Sequence, residues 1–212
     1  MSSGSRQVLS YHESLLRESD VNLLRGPHWL NDQIISFYFE YLEKEVFKEA
    51  TEFLFVSPEV TQCLKIVSSD EVSVFLSPLN ATEKDVIFFA LNNNDNTTAG
   101  GSHWSLLVLS RQENTFFHFD SSSGSNLASS RRFFNHLKRP LNCPTAELIE
   151  QNCLQQSNCY DCGIHLICVA ERVAQHFLTA GSVCQTPDTA KEQVSRKRRD
   201  ILDIIRQLGG EI

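Results

Sequence analysis

Apolar residues recur at helical spacing along Ile34, Ile35, Tyr38, Phe39, Leu42 and Val46, and Asn31 or Asp32 just ahead of them suits a helix cap. Upstream, Ser10-Tyr11-His12-Glu13 has the spacing of a capping box and predicts the start of a short helix. Trp29 and Leu30, close after Pro27, predict a turn packed against something. Three runs in the middle, 85–91, 104–109 and 115–119, are rich in β-branched and aromatic residues and bounded by polar turns, which predicts strands. Helical spacing returns over 131–139, 162–177 and 191–208, with loop predicted over 140–160. There is no internal repeat. The order of helices, sheet and helices predicts an α+β fold.

Two polar loops flank the predicted strands. One, 92–102, is rich in asparagine and has no apolar anchor; the other, 121–126, is rich in serine. Long loops in compact domains are often functional, and the first is expected to be mobile and to order when substrate binds. Only 110–114 separates the last two strands, so an antiparallel hairpin is the simplest pairing. With its turn near Arg111-Gln112, facing residues have numbers summing to 223, and His103 lies opposite Asp120. Such pairs have Cβ atoms about 4.5–5.5 Å apart, which suits a carboxylate accepting a proton from imidazole.

Cys162 opens the helix predicted over 162–177. A thiol in a first turn gains from the helix dipole and from free N–H groups, which favour thiolate. Gly163 is expected to leave the helix start uncrowded, so that a substrate backbone can reach the sulfur. A nearby imidazole completes the activation. Backbone N–H groups at the helix start can stabilise an oxyanion, with the amide of Gln156 as a second donor. His103, Asp120, Gln156 and Cys162 thus point jointly to acyl transfer. Alone, each has a plainer reading: an edge histidine, a loop cap, an inert buried thiol. His118 and His165 read as structural, His165 lying one turn from Cys162.

Composition narrows the setting. The 212 residues suit one core and a single domain over 1–212. Formal net charge is −7, which disfavours nucleic acid, and the one basic run, Arg196-Lys197-Arg198-Arg199, reads as the wet face of the last helix. No apolar run is long enough to span a membrane, and no signal-peptide pattern opens the chain. Seven cysteines, an odd and unevenly spaced set, fit free thiols and a cytoplasmic or nuclear protein. Cys159 and Cys162 form a C-x-x-C pair, but a polar loop precedes it where a redox motif wants a strand, and Cys168 points away from Cys153. Neither a metal nor a cofactor is expected, and the chain is expected to be monomeric.

His103-Trp104, Asp120-Ser121, and Gln156 followed by Asp161-Cys162-Gly163, with Trp29-Leu30-Asn31-Asp32 upstream, resemble the ubiquitin-like-protein protease family, the sentrin/SUMO-specific proteases related to adenovirus protease. The resemblance runs from about Leu9 to Leu208. It implies a papain-like α+β fold of the adenain type, a central mixed sheet flanked by helices, with a His103, Asp120, Cys162 triad and Gln156 in the oxyanion hole. It also implies that Trp29 and Trp104 wall a narrow passage for a Gly-Gly tail, with Asp32 contacting the modifier nearby. Within the family the chain most resembles the deneddylase member, which implies the neddylation modifier and its conjugates, cullins among them, as partners. Alternatives are a SUMO-specific protease, a modifier-binding module without turnover, and a transferase using the same residues.

Overall fold

The computed structural model describes residues 6–98 and 100–212. Its centre is a five-stranded mixed sheet of β3 (Phe53–Val56), β4 (Val86–Asn92), β5 (Trp104–Ser110), β6 (Thr115–Phe119) and β7 (Glu147–Gln151), in that spatial order. The outer pairs, β3–β4 and β6–β7, are parallel; β4–β5 and β5–β6 are antiparallel. Side chains alternate between two cores. Val86, Phe88 and Ala90 enter one, while Ile87, Phe89 and Leu91 enter the other. Both faces are covered, so β4, β5 and β6 read as continuous apolar runs and not as alternating ones.

The first face is covered by α2 (Asp32–Tyr41), by α6 (Cys162–Ala180), and by α7 (Lys191–Gln207) packed outside α6. Ile164, Leu166, Ile167, Val169, Val173 and Phe177 bury most of the circumference of α6, which lies directly on β5. The second face is covered by α3 (Pro58–Ile66), α4 (Ser69–Leu76) and α5 (Leu127–Leu137). An amino-terminal hairpin, β1 (Gln7–Tyr11) and β2 (Ser14–Arg17), leads into the short α1 (Glu18–Asn22) and packs on α2. Among the described residues no helix is long and apolar enough to cross a membrane.

Several expectations are corrected. Ser10 to Glu13 does not start a helix: His12, at φ +44°, sits in the turn of the hairpin. A tertiary acceptor decides this, because Glu40 of α2 takes the N–H groups of Glu13 at 2.9 Å and Ser14 at 3.1 Å. Patterning assigns no element to 47–84, where β3, α3 and α4 lie, and predicts loop where β7 lies. β7 is a largely exposed edge strand with too little buried surface to impose alternation. The predicted start of α5 falls four residues late, since its first turn buries serines.

The hairpin register also differs. Ser110 pairs with Thr115 and Leu106 with Phe119, so facing numbers sum to 225 and not 223. The turn is two residues longer than expected, and His103 and Asp120 are diagonal neighbours. A shift of two preserves the face, whereas a shift of one would have separated them.

Candidate active site

His103 precedes β5 and Asp120 follows β6, and both are buried. Nε2 of His103 lies 2.6 Å from Oδ1 of Asp120. Asp120 is held from several sides. Ser122 N–H donates to the same oxygen at 2.9 Å, Asn126 N–H donates to Oδ2 at 2.9 Å, and Gln155 Nε2 donates to its carbonyl at 3.0 Å. With Nε2 committed to Asp120, Nδ1 is the ring nitrogen left for the Cys162 thiol, which interacts with the imidazole.

Burial acts on His103 to lower its pKa, but hydrogen bonds to Asp120 and Cys162, with their charges, outweigh it and raise the value to about 9. Burial likewise pushes the Asp120 carboxyl up, and the bonds from His103, Asn126 and Ser122 outweigh it to hold the group below its ordinary range. This environment favours an imidazolium between two acceptors.

Cys162 is the first residue of α6 and is buried. The turn ahead of it is built by Asn158, whose Oδ1 accepts the N–H groups of Tyr160 at 3.0 Å and Asp161 at 2.9 Å. Cys159 is exposed, whereas Cys162 turns inward to the imidazole. Burial pushes the thiols of Cys153 and Cys168 up to about 12, which marks them as unreactive. The space in front of Gly163 is not open as expected. A Cβ there would meet Cβ of Leu30 at 3.0 Å, so glycine lets the Leu30 segment close onto the start of α6.

A cleft of about 460 Å³ runs above these groups, lined by Trp29, Leu30, Asp32, Gly101, His103, Trp104 and Cys162 among others. Trp104 is buried and its indole N–H donates to the Leu30 carbonyl at 3.1 Å. Trp29 is 47% exposed, and its indole N–H donates to the Cys159 carbonyl. Asp32 is exposed on the rim, its carboxyl raised by its packed surroundings and by Glu59. Gln156 lies in the same quarter: its Oε1 accepts from Ser121 Oγ at 2.8 Å, and one N–H donates to the Asn158 carbonyl at 2.6 Å. That leaves one N–H for a further acceptor.

The structure thus brings His103, Cys162 and both tryptophans to one cleft, with Asp120 buried behind His103. It adds residues that the sequence reading missed. Arg198 lies with its guanidinium on Oδ1 of Asp161 at 2.7 and 3.0 Å, and on the carbonyls of Leu23 and His28, both at 2.7 Å. It joins the approach to Cys162 to the segment carrying Trp29. Lys197 is buried against Glu171 and Tyr38. The basic run is therefore half inside the molecule and not wholly a wet face; only Arg196 and Arg199 are exposed. The loop over 92–102 is anchored by polar groups. Lys65 donates to the Asn92 and Asn94 carbonyls, and Gln62 donates to those of Asn94 and Asn96. Its residue Ala99 lies outside the described residues. His165 is buried one turn from Cys162, with no hydrogen-bond partner for Nδ1 among the described residues.

The profile of the Ulp1 protease family, C-terminal catalytic domain, matches residues 28–206. Sentrin-specific protease 8 of Rattus norvegicus is 42% identical over 205 residues, covering 95% of this chain and 94% of the relative. The Homo sapiens protein of the same name is 41% identical, covering 95% and 97%. NEDD8-specific protease 1 of Arabidopsis thaliana is 31% identical, covering 97% and 95%. Among solved structures, the SUMO protease Ulp1 with its catalytic cysteine oxidised to a sulfenic acid superposes with a TM-score of 0.71 at 22% identity, covering 95% and 88%. The C-terminal Ulp1 protease domain in complex with Smt3, the yeast orthologue of SUMO, gives 0.69 at 22% identity, covering 96% and 88%. The structural likeness bears out the α+β fold with its mixed central sheet. Matched by the profile over most of its length and by relatives over nearly all of it, this chain belongs to the Ulp1 protease family.

Proposed function

We propose that the protein is a cysteine protease that cleaves after the C-terminal Gly-Gly of NEDD8, both in its precursor and in isopeptide conjugates. The observation that carries the chemistry is the hydrogen-bonded His103–Asp120 pair set against Cys162 at the head of α6. Cys162 Sγ attacks the carbonyl carbon of the terminal glycine, and the imidazolium of His103 gives its proton to the departing amine as the C–N bond breaks. The thioester left behind is opened by water. His103 takes the water proton, and thiol and modifier carboxylate are released. Asp120 orients the ring and stabilises its charge. Backbone N–H groups at the start of α6 and the remaining N–H of Gln156 face the developing oxyanion.

The cleft supports the substrate class. Indoles of Trp29 and Trp104 bound a passage that suits a tail without side chains, and exposed Asp32 suits a basic residue just before it. The choice of NEDD8 over SUMO rests on the named relatives, since the SUMO proteases among the solved structures are similar only in fold. The test is a parallel panel of NEDD8, SUMO and ubiquitin bearing C-terminal electrophiles. The expected result is a covalent NEDD8 adduct that Cys162→Ala abolishes. A SUMO adduct in its place overturns the modifier assignment, and no adduct with any of the three overturns the protease reading.

A further inference from the structure

Behind the His103–Asp120 pair, a line of polar side chains crosses the sheet: Asn126, Ser105 and His118, all fully buried, ending at Glu150 on the edge strand. Asn126 Nδ2 lies 2.9 Å from Ser105 Oγ; Ser105 Oγ lies 2.9 Å from His118 Nε2; His118 Nδ1 lies 2.7 Å from Glu150 Oε2. For a neutral His118 ring, chemistry at the two ends sets the direction of every bond. The Asn126 amide nitrogen also faces the carbonyls of Leu91 at 3.2 Å and His103 at 3.5 Å, which can only accept. The amide therefore donates to Ser105, and Ser105 passes its own proton to His118 Nε2. The ring proton then sits on Nδ1 and meets the carboxylate of Glu150. Ser130 Oγ, one turn along α5 from Asn126, lies 3.4 Å from the other oxygen of Glu150. Both ends of the line thus rest on one helix.

Asn126 touches both members of the pair. Its backbone N–H holds Oδ2 of Asp120, and its side chain faces the backbone carbonyl of His103. Its Oδ1 has no partner among the described residues, so the amide keeps its donor side inward while an acceptor goes unmet. An apolar filling of the same space would escape that cost. Taking the protease reading above as its basis, we propose that Asn126, aligned through Ser105 and His118 by Glu150, is a positioning residue that sets His103 and Asp120 relative to each other for proton transfer.

Ser105→Ala cuts the line and leaves the triad side chains in place. With a NEDD8–aminomethylcoumarin probe, kcat is expected to fall about 10- to 100-fold, the scale of a misaligned reacting group, while KM stays within about twofold. Glu150→Ala is expected to lower kcat in the same sense, and Glu150→Gln, which keeps an oxygen for the Nδ1–H, to recover most of it. Glu150 is at the surface, so these two variants report even where Ser105→Ala does not fold. Nitrogen-15 spectra are expected to show His118 as the Nδ1–H tautomer, and the proton shared by His103 and Asp120 to move in Glu150→Ala. Wild-type kcat in Glu150→Ala, a loss confined to KM, or an Nε2–H tautomer at His118 overturns the proposal. Wild-type protein inert to every modifier probe overturns the protease reading instead, and the spectra still decide the alignment.

Discussion

The two sides of the cleft are built differently. The floor, His103 and Asp120, is buried and held from many directions: Asp120 alone receives the imidazole, two backbone N–H groups and an amide on its carbonyl. The opposite wall, from Leu23 to Asp32, buries only Leu24 and Leu30 in the core and otherwise hangs from a few long polar tethers. Arg198 reaches it from α7, the Trp104 indole holds Leu30, and the Trp29 indole rests on the Cys159 carbonyl. Groups that move protons need tenths of an ångström, and dense hydrogen bonding supplies that. A wall that admits a long flexible tail has to yield, and sparse anchoring permits it.

The contrast can be broken by substitution. The largest effect is expected for Asp120→Ala, with kcat on a NEDD8 probe falling by about 10³- to 10⁴-fold and KM little changed, as steady-state kinetics will show. Trp104→Ala is expected to cost about 3–5 kcal/mol of stability in thermal or denaturant unfolding, because a buried indole leaves a cavity. Trp29→Ala, half exposed, is expected to cost under about 1 kcal/mol while raising KM; equal losses of stability in the two variants would erase the contrast between buried and exposed indoles. Arg198→Ala is expected to cost about 2–3 kcal/mol, from charge-assisted bonds to a partly buried carboxylate and two carbonyls, and to raise KM more than it lowers kcat.

The pH dependence of stability carries a further prediction. The folded protein raises the His103 pKa from 6.5 to about 9, so it binds that proton more tightly than the unfolded chain does. The resulting stabilisation is fully present below 6.5, declines as pH rises, and is lost above about 9. Asp120, depressed in the fold, contributes above the ordinary carboxylate range, and its share is lost as pH falls through its lowered value. The Tm difference between wild type and His103→Gln is therefore expected to shrink from neutral to alkaline pH. A difference that grows with pH contradicts this account.

What was legible in the sequence follows from the same contrast. The three central strands announce themselves because burial on both faces makes them nearly continuous apolar runs, and α6 because its buried residues repeat at helical spacing. His103 and Asp120 were readable because local pairing joins them, and a register error of two residues left them on one face. β3 and β7 were invisible for opposite reasons, four apolar residues being too short to show a period and an exposed edge having none to show. Asn126, Arg198 and Lys65 could not be read at all. Their partners are mostly backbone carbonyls or residues far along the chain, and no spacing rule encodes a donor aimed at a distant carbonyl.

The contact of Gly163 with Leu30 carries a further meaning as a clearance. With 3.0 Å between the Leu30 Cβ and the place a Cβ would occupy, one methyl group at residue 163 acts as a wedge between the helix bearing the thiol and the strip bearing Trp29. Gly163→Ala would thus prise the gap from within and touch no substrate. The width of the passage, and with it the size of residue admitted at the end of a modifier, is gauged by an atom that the protein leaves out.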